Sequence, residues 1–585
     1  RFAPGHEMIV GGILSRFNDQ WQMVHPTLVA RPGRLADGQE RQTVYPSIKE
    51  LSLPRLRRLI ELALDGLPAV PEWHDPATLR DLGLPGFNTA LQALHAPVGD
   101  ADLRPELPAR RRLALDELSA HQLALALLRR HRRAAAARPL PRPDDLRRRV
   151  LRALPFALTA GQRRVLGEID ADLARPERML RLLQGDVGSG KTLVALLAML
   201  GAVKAGAQAA IMAPTALLAR QHATRLGELL APLGLEPCLL VGGEPAAVRR
   251  RTLQALADGE ARVIVGTHAL FQSEVAFQDL ALVVIDEQHR FGVEQRLELL
   301  RKADLGHLLV MTATPIPRSL VLSLYGEMAV SELREKPPGR QRVVTRALGA
   351  GRLDDVVAAT RRMLGGGGRV YWVCPAIEAG EEGDETAVLT RHAELQASFG
   401  DEVGLVHGRM PAGERQAAME DFAAGRVRIL VATTVIEVGV DVPAAAAIVI
   451  EEAERFGLAQ LHQLRGRVGR GDRAGSCLLI HKGDLSDAAR RRLKILRATD
   501  DGFEIAEEDL RLRGPGEVLG TRQSGVPAFR LVDFGAHTDL LRVAQDGVDA
   551  LLAADRDLAG PRGRACRLLL RIFERDAAFA YLASG

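Results

Sequence analysis

The chain has 585 residues, 47% of them hydrophobic and 26% charged, with a formal net charge of +5 and four cysteines. That length calls for several domains of roughly 150 residues each, in a composition ordinary for a globular protein. No apolar run approaches the ~18 residues of a membrane span, no signal peptide is visible, and Cys238, Cys374, Cys477 and Cys566 are too scattered for a zinc or disulfide framework, so a reducing cytoplasm is expected. The basic excess rests on arginine, whose planar fork suits phosphate, and it fits a nucleic-acid partner as well as it fits solvated basic faces. The chain opens at Arg1-Phe2 rather than Met, so a fragment or a processed form is expected.

Residues 1–50 carry short strand-like runs, Met8-Ile9-Val10 and Trp21 to His25, broken by Gly, Pro, Asn and Asp. They read as part of a small β-domain entered partway. Phe17 and Trp21 sit in or beside the turn-like stretch 16–20, where exposed aromatics would stack on bases; a core position is the equal alternative. Residues 51–145 read as a helical linker region, with apolar residues at helical spacing over Leu51 to Leu67 and Arg110 to Arg133. Their arginine-rich faces read as solvated. Arg138 to Pro143 reads as a stiff proline-rich linker.

From 146 to 335 apolar runs alternate with helices. The strands are expected at Leu180–Gln184, Ala209–Ala213, Val263–Thr267, Leu282–Asp286 and Leu308–Thr312. From 336 to 490 the pattern repeats, at Arg369–Cys374, Val403–His407, Ile429–Ala432, Ile448–Ile450 and Cys477–Ile480. Continuous apolar strands of this kind belong to parallel sheets covered on both faces. Residues 491–585 read as a helical, arginine-rich tail with a glycine-punctuated insert around 514–525.

The first α/β domain carries Gly185-Asp186-Val187-Gly188-Ser189-Gly190-Lys191-Thr192 between a strand and a helix, which fits G-x-x-x-x-G-K-[ST]. The glycines let the backbone wrap phosphates, and the N–H groups converge at the helix N-terminus. Lys191 is placed to reach the β- and γ-phosphates of ATP, and the Thr192 hydroxyl to hold Mg²⁺. Asp286-Glu287-Gln288-His289 ends an apolar strand, with two strand candidates between it and the loop. Asp286 suits Mg²⁺, and Glu287 suits the general base that polarises attacking water. Phe156, Thr159 and Gln162 lie upstream, and the Gln162 amide offers both donor and acceptor to an adenine edge. Thr312 and Thr314 close a strand with hydroxyls that either relay the state of the acidic site or simply cap the strand. In the second α/β domain, Gln463, Arg465, Arg467 and Arg470 form an arginine-rich stretch. Arginines reaching the γ-phosphate from a neighbouring domain stabilise transition-state charge; a plain contact to a phosphate backbone is the alternative.

The series at 156–162, 185–192, 213–222, 286–289, 312–318, 431–443 and 460–471 resembles the motif set of superfamily-two helicases and translocases. That resemblance implies two RecA-like P-loop domains with ATP between them. It also implies arginine fingers at Arg467 and Arg470 beside Gln463, and nucleic-acid backbone contacts at Pro214, Thr215, Gly266, Thr267 and Thr433. In the tail, Asp501 to Leu510, then Arg513-Gly514-Pro515-Gly516-Glu517 and Gly520-Thr521-Arg522-Gln523-Ser524-Gly525, resembles the TRG translocation motif shared by the RecG family and the transcription-repair coupling factor Mfd. There Arg513, Arg522 and Gln523 are implied to couple domain closure to movement on duplex DNA. Arg290-Phe291-Gly292-Val293 after the acidic motif, Gly188-Ser189-Gly190 and Leu461-His462-Gln463-Leu464 resemble the RecG family rather than Mfd. Met23-Val24-His25-Pro26 resembles the OB-fold wedge of that family, here partial and without the family's helical N-terminal extension.

The expected architecture is therefore a partial OB-fold wedge (1–50), a helical linker (51–145), two RecA-like domains (146–335 and 336–490) and a TRG tail (491–585). The resemblance implies an ATP-dependent double-stranded DNA translocase that regresses stalled forks and branch-migrates Holliday junctions in recombination and repair. It would be a monomer in the bacterial cytoplasm at the nucleoid, with a single-stranded DNA-binding protein as partner and no membrane. Two other readings stand beside it. One is an Mfd-like translocase that displaces RNA polymerase, for which no polymerase-interaction domain is recognisable. The other is a fork remodeller that uses nucleotide only as a switch, against which Glu287 argues.

Overall fold

The computed structural model describes residues 7–12, 14–17, 20–24, 28–30, 43, 45–46, 48, 51–97, 102, 104–133, 137–287, 306–313, 315, 328–335, 342–375, 383–433, 442, 444–469, 475–513 and 529–575. The chain divides into two compact units, one of residues 1–123 with 529–576, the other of 124–528 with 577–585.

In the first unit the described strands pair antiparallel, β1 (Ile9–Gly11) with β4 (Leu28–Ala30) and β2 (Ser15–Phe17) with β3 (Gln20–Gln22). The stretch read as a turn at 16–20 is largely strand, with Arg16 opposite Trp21 and Phe17 opposite Gln20. Trp21 is 68% exposed, which removes the core alternative for it. The side chain of Phe17, and His25 and Pro26, lie outside the described residues.

The helices follow the expected periodicity: Leu53–Asp65, Pro76–Asp81, Phe87–His95 and the long Pro108–Arg133. The solvated-face expectation fails for the first half of the long helix. Arg112, Asp116 and Glu117 are buried, because the helix carries its own counter-charges and the fold adds donors and acceptors. Asp116 accepts from Trp73 Nε1 and His74 Nε2, both at 2.7 Å, and from Arg112 Nε at 3.0 Å. Arg112 spans to Glu72 and the Pro85 carbonyl, and its guanidinium stacks over Trp73 at 5.6 Å. Glu117 accepts the backbone N–H groups of Arg530, Leu531 and Val532, which fastens the chain's return to this unit. Buried ions are tolerated when every polar atom is partnered in this way.

The second unit holds two parallel sheets. The first runs in the order β11-β5-β10-β9-β6-β8-β7, from β5 (Leu180–Gly185), β6 (Gln208–Met212), β7 (Cys238–Leu240), β8 (Val263–Gly266), β9 (Leu280–Ile285), β10 (His307–Thr312) and β11 (Ala329–Leu333). The second runs β12-β17-β16-β13-β15-β14, from β12 (Val344–Gly349), β13 (Arg369–Val373), β14 (Val403–Val406), β15 (Ile429–Ala432), β16 (Ala445–Ile450) and β17 (Ser476–His481). All described pairings in both are parallel.

Alternate residues of each strand enter separate cores. Leu183, Ile211, Val265, Val284 and Met311 face one layer of helices, and Leu182, Met212, Ile264, Val283 and Val310 the other. This period of two, with both faces apolar, is why the strands read as unbroken hydrophobic runs. Truncating one such leucine to alanine costs ~2–5 kcal/mol. Every expected strand is present, and β7, β11 and β12 are additional.

The proline-rich stretch expected to be a linker is instead packed onto the first sheet's unit. Leu140 is buried and its N–H bonds to Leu173 O at 2.8 Å, Ala137 N–H bonds to Pro176 O at 3.0 Å, and Arg138 pairs with Asp279. Prolines set its extended backbone, but anchoring residues between them are satisfied by the domain.

Candidate active site

Parallel sheets present their functional loops at the carboxyl ends of the strands, and the site is built there. β5 runs into the phosphate loop and the loop into the Lys191–Lys204 helix. Gly188 and Gly190 have φ of 78° and 88°, a region that suits glycine. A Cβ on Gly190 would stand 2.3 Å from Gln162 Nε2. Gln162 makes a reciprocal capping box with Thr159 at the start of the Ala160–Leu173 helix, and its amide N–H donates to Ser189 O at 3.0 Å. Here the amide expected at an adenine edge braces the loop itself. Phe156, upstream of this helix, is 47% exposed.

Lys191 Nζ donates to the carbonyls of Gly185 and Asp186 at 2.6 and 2.9 Å. Ser189 Oγ is buried without a partner among the described residues, and Thr192 is half-buried one position past the lysine. Left-handed glycines, an inward ammonium and a waiting hydroxyl fit the phosphates of a nucleotide and a divalent cation.

β9 delivers Asp286 and Glu287. His222 Nε2 lies 2.9 Å from Asp286 Oδ2, and the Glu287 N–H donates to Asp286 Oδ1 at 3.1 Å. Burial pushes the Asp286 carboxyl up, but the His222 hydrogen bond and the charges of His222 and Lys191 outweigh it, and the pKa falls below the ordinary value. Glu287 goes the other way: burial, then the neighbouring Asp286 charge, raise its pKa, against the pull of Lys191, the Ala313 N–H and Arg467. The two acids are thereby split, one held ionised for a cation and the other made more basic. Glu287 also holds φ at 55°, a conformation costing ~1–3 kcal/mol in a non-glycine residue and typical of functional sites.

His222 was not singled out in the sequence. A lone histidine on the Ala216–Leu230 helix has no spacing signal, and only the fold brings it to Asp286. Thr215 N-caps that helix, accepting from Leu218 N–H at 3.3 Å, and Pro214 precedes it at the end of β6. Gly266 and Thr267 end β8. They are buried, and Thr267 caps the His268–Phe271 turn rather than standing open to a ligand. Thr433, also buried, follows β15. Thr312 ends β10 and is buried, and next to it the Ala313 N–H reaches Glu287.

The Leu458–Arg465 helix of the second sheet's layer carries Gln463, half-buried, and leads to Arg467, whose charge acts on Glu287. The nucleotide loop, the acids and an arginine from the other sheet thus meet in one place. Gln288, His289, Arg290 to Val293, Thr314, Arg470, Arg522, Gln523 and the side chain of Arg513 lie outside the described residues. Among the described residues no acid–histidine–cysteine cluster suited to a structural metal occurs, and burial pushes Cys477 and Cys566 up to about 12, as inert thiols.

Three family models match the chain: DEAD/DEAH box helicase over 159–321, helicase conserved C-terminal domain over 354–472, and ATP-dependent DNA helicase RecG, domain 3, C-terminal over 499–570. The chain is 46% identical over 543 residues to ATP-dependent DNA helicase RecG of Acidithiobacillus ferridurans, an overlap covering 93% of this chain and 78% of the relative. The chain belongs to the RecG family. The RecG of Escherichia coli strain K12 is 45% identical over 546 residues, 91% of this chain and 78% of the relative. A solved structure described as RecG bound to a three-way DNA junction matches with a TM-score of 0.68 and 36% identity, over 93% of this chain and 71% of that one.

As a RecG-family member the chain is an ATP-dependent DNA helicase, with two RecA-like domains as its sheets require. These matches do not favour the polymerase-displacing alternative. The RecG domain 3 match begins at 499, at the segment marked by the motif resemblance, where the Gly502–Arg513 helix starts. No helix among the described residues is long and apolar enough to cross a membrane.

Proposed function

We propose that this RecG-family helicase translocates on double-stranded DNA at branch points, regressing stalled forks and branch-migrating Holliday junctions. The observation that carries the reading is the packing of the phosphate loop of the first sheet's layer against the arginine-bearing helix of the second, with His462 Nε2 3.2 Å from Asp186 Oδ1 and Gly466 tight against Val187. A site shared between two RecA-like domains makes ATP turnover depend on their closure. The match to a RecG structure described as bound to a three-way junction supports the substrate class.

Lys191 turns its ammonium to the β- and γ-phosphates. Thr192 and Asp286 hold Mg²⁺, which supplies charge neutralisation when bound. Asp286 stays ionised for that task, oriented by His222. Glu287, made more basic by burial beside Asp286, takes the proton of the attacking water, and the Ala313 N–H fixes its carboxylate. Arg467, with Arg470 and Gln463, stabilises charge developing on the transferred group. Phe156 takes the adenine end while Gln162 braces the loop beneath it, and Pro214, Thr215 and Thr314 line the route to DNA, with the buried Gly266, Thr267, Thr312 and Thr433 supporting it from behind.

Arg513, Arg522 and Gln523 pass closure to the duplex. Exposed Trp21, with Phe17, stacks on a base at the fork. Phosphate contacts make the grip salt-dependent. The protein works as a monomer in the bacterial cytoplasm at the nucleoid, near single-stranded DNA-binding protein.

Displacement of a labelled strand from a three-way junction tests this. Wild-type protein with ATP and Mg²⁺ should release the strand, whereas Lys191→Ala should bind the junction and release none. No release by the wild type, or hydrolysis retained in the variant, would overturn the reading or the site.

A further inference from the structure

The motif G-x-x-x-x-G-K-[ST] leaves its second position open, and here that position is Asp186. Its side chain is buried and makes contacts with two other elements. Asp186 Oδ2 accepts the backbone N–H of Gly502 at 3.2 Å, the first residue of the Gly502–Arg513 helix. Asp186 Oδ1 lies 3.2 Å from His462 Nε2 in the arginine-bearing helix. Arginine only donates, so His462 Nδ1 accepts from Arg465 Nη2 at 2.9 Å, and Nε2 carries the hydrogen given to Asp186. Arg465 in turn donates to Leu496 O at 2.6 Å and Thr499 O at 2.9 Å, and pairs with Asp500 at 3.3 Å. One carboxylate thus joins the phosphate loop, the arginine helix and the entry to the translocation segment.

The steric record agrees. A Cβ on Gly502 would stand 1.9 Å from Asp186 Oδ1 and 2.7 Å from His462 Nε2, so only glycine fits there. A Cβ on Gly466 would stand 3.0 Å from Val187 Cβ, on the next residue of the loop. Beside Gly502, the Arg334 guanidinium from the end of β11 stacks on the Phe503 ring at 4.5 Å. Glu335, next to it, accepts the Gly161 N–H at 2.9 Å in the Thr159–Gln162 capping turn. The start of the translocation helix is therefore fastened to both flanks of the nucleotide site.

We propose that Asp186 is a positioning residue for coupling, delivering a change in the phosphate loop directly to the first turn of the Gly502–Arg513 helix. The device lies in the lysine. Lys191 Nζ is held by the carbonyls of Gly185 and Asp186, and when it turns to phosphate both carbonyls lose its ammonium, the Asp186 carbonyl keeping only the Ser189 N–H at 3.1 Å. The backbone of Asp186 then relaxes, its carboxylate moves against the Gly502 N–H, and the helix start moves with it. The proposal rests on reading 185–192 as the ATP site.

Hydrogen exchange and coupling stoichiometry test it in the full-length chain. In nucleotide-free protein, Asp186→Ala should speed exchange of the 502–505 amides by about tenfold or more, as expected for loss of a buried charge-assisted hydrogen bond. It should also abolish their response to a non-hydrolysable ATP analogue. Gly502→Ala, which perturbs the same contact from the other side, should keep DNA-stimulated hydrolysis within about twofold while base pairs unwound per ATP fall about tenfold. The double variant should be no worse than Asp186→Ala alone, because both changes break one link. Unchanged exchange at 502–505 in Asp186→Ala, an unchanged ratio of base pairs to ATP in Gly502→Ala, or losses that multiply in the double variant would each overturn the proposal. A wild-type protein that unwinds no branched DNA would sink the functional reading instead, and the exchange arm would still decide the contact.

Discussion

His222→Ala offers the sharpest probe of the acidic site, because it removes one hydrogen bond and leaves every expected catalytic side chain in place. The ring nitrogen lies 2.9 Å from Asp286 Oδ2, and that bond is the chief influence holding the Asp286 carboxyl low against its burial. A hydrogen bond to a buried charged group is worth ~1.5–3 kcal/mol, which converts to about a 10–150-fold change in an equilibrium constant. Losing it raises the Asp286 pKa and frees its rotamer, so the carboxylate presents less charge in a less fixed direction to Mg²⁺. Loss of an outer partner of this kind typically weakens metal affinity by about 10–100-fold. The assay is nucleotide binding and ATP turnover measured across Mg²⁺ concentration. The half-maximal Mg²⁺ concentration should rise by one to two orders of magnitude, about the range just derived, with turnover substantially recovered at saturating Mg²⁺. His222→Gln, which restores a donor, should recover part of the shift. An unchanged Mg²⁺ dependence in His222→Ala would refute the reasoning, as would a loss of turnover that no Mg²⁺ concentration relieves.

Asp116→Ala in the first unit strips Trp73, His74 and Arg112 of their common acceptor, which should cost ~3–5 kcal/mol. A lower urea midpoint, together with faster hydrogen exchange over 108–123, would register it, and an unmoved midpoint would count against the network. His307 is wholly buried, taking the Met179 N–H and facing Arg138 O, and burial holds its pKa below 6.5 despite the favourable Arg138 carbonyl. The folded chain therefore refuses a proton that the unfolded chain accepts, so stability falls as pH drops through ~6.5, by up to ~1.4 kcal/mol per unit. His307→Gln should remove that part of the slope between pH 7 and 5 in urea unfolding; an identical slope would exclude His307 as its source. Trp21→Ala should weaken fork binding by ~1–3 kcal/mol in anisotropy titrations while leaving ATP turnover on linear duplex unchanged. Equal fork affinity would place the stacking contact elsewhere.

The two sheets were legible because strands buried on both faces cannot hide: Leu282 to Ile285 or Val263 to Val265 admit no polar face. The strands that escaped are those without such a run. β7 has three residues, β11 breaks its pattern with Ser331 and Glu332, and β12 carries adjacent polar Thr345 and Arg346 at the edge of its sheet. Motif residues were legible for a related reason. Phosphate wrapping demands glycines at fixed positions, with Lys191 and Thr192 opening the helix after the loop and Asp286 and Glu287 following the end of β9.

Residues whose role depends on a distant partner left no mark. His222 and Glu117 act on groups far along the chain, and nothing in local spacing announces them; the loop motif placed Asp186, but not its contact with Gly502. Arg112 was misjudged because a charge run usually faces solvent; here Glu72 and Asp116, one distant and one a helical turn away, let it be buried. The proline-rich 138–143 stretch was misjudged because composition reports stiffness and says nothing of what Leu140 packs against.

The central claim is that a nucleotide site shared by two RecA-like domains drives movement on branched DNA. ATP turnover measured side by side with forked DNA, linear duplex, single-stranded DNA and RNA tests it most directly. Stimulation by DNA, strongest with the forked substrate, is the predicted result; stimulation by RNA alone, or no turnover with any DNA, would contradict it.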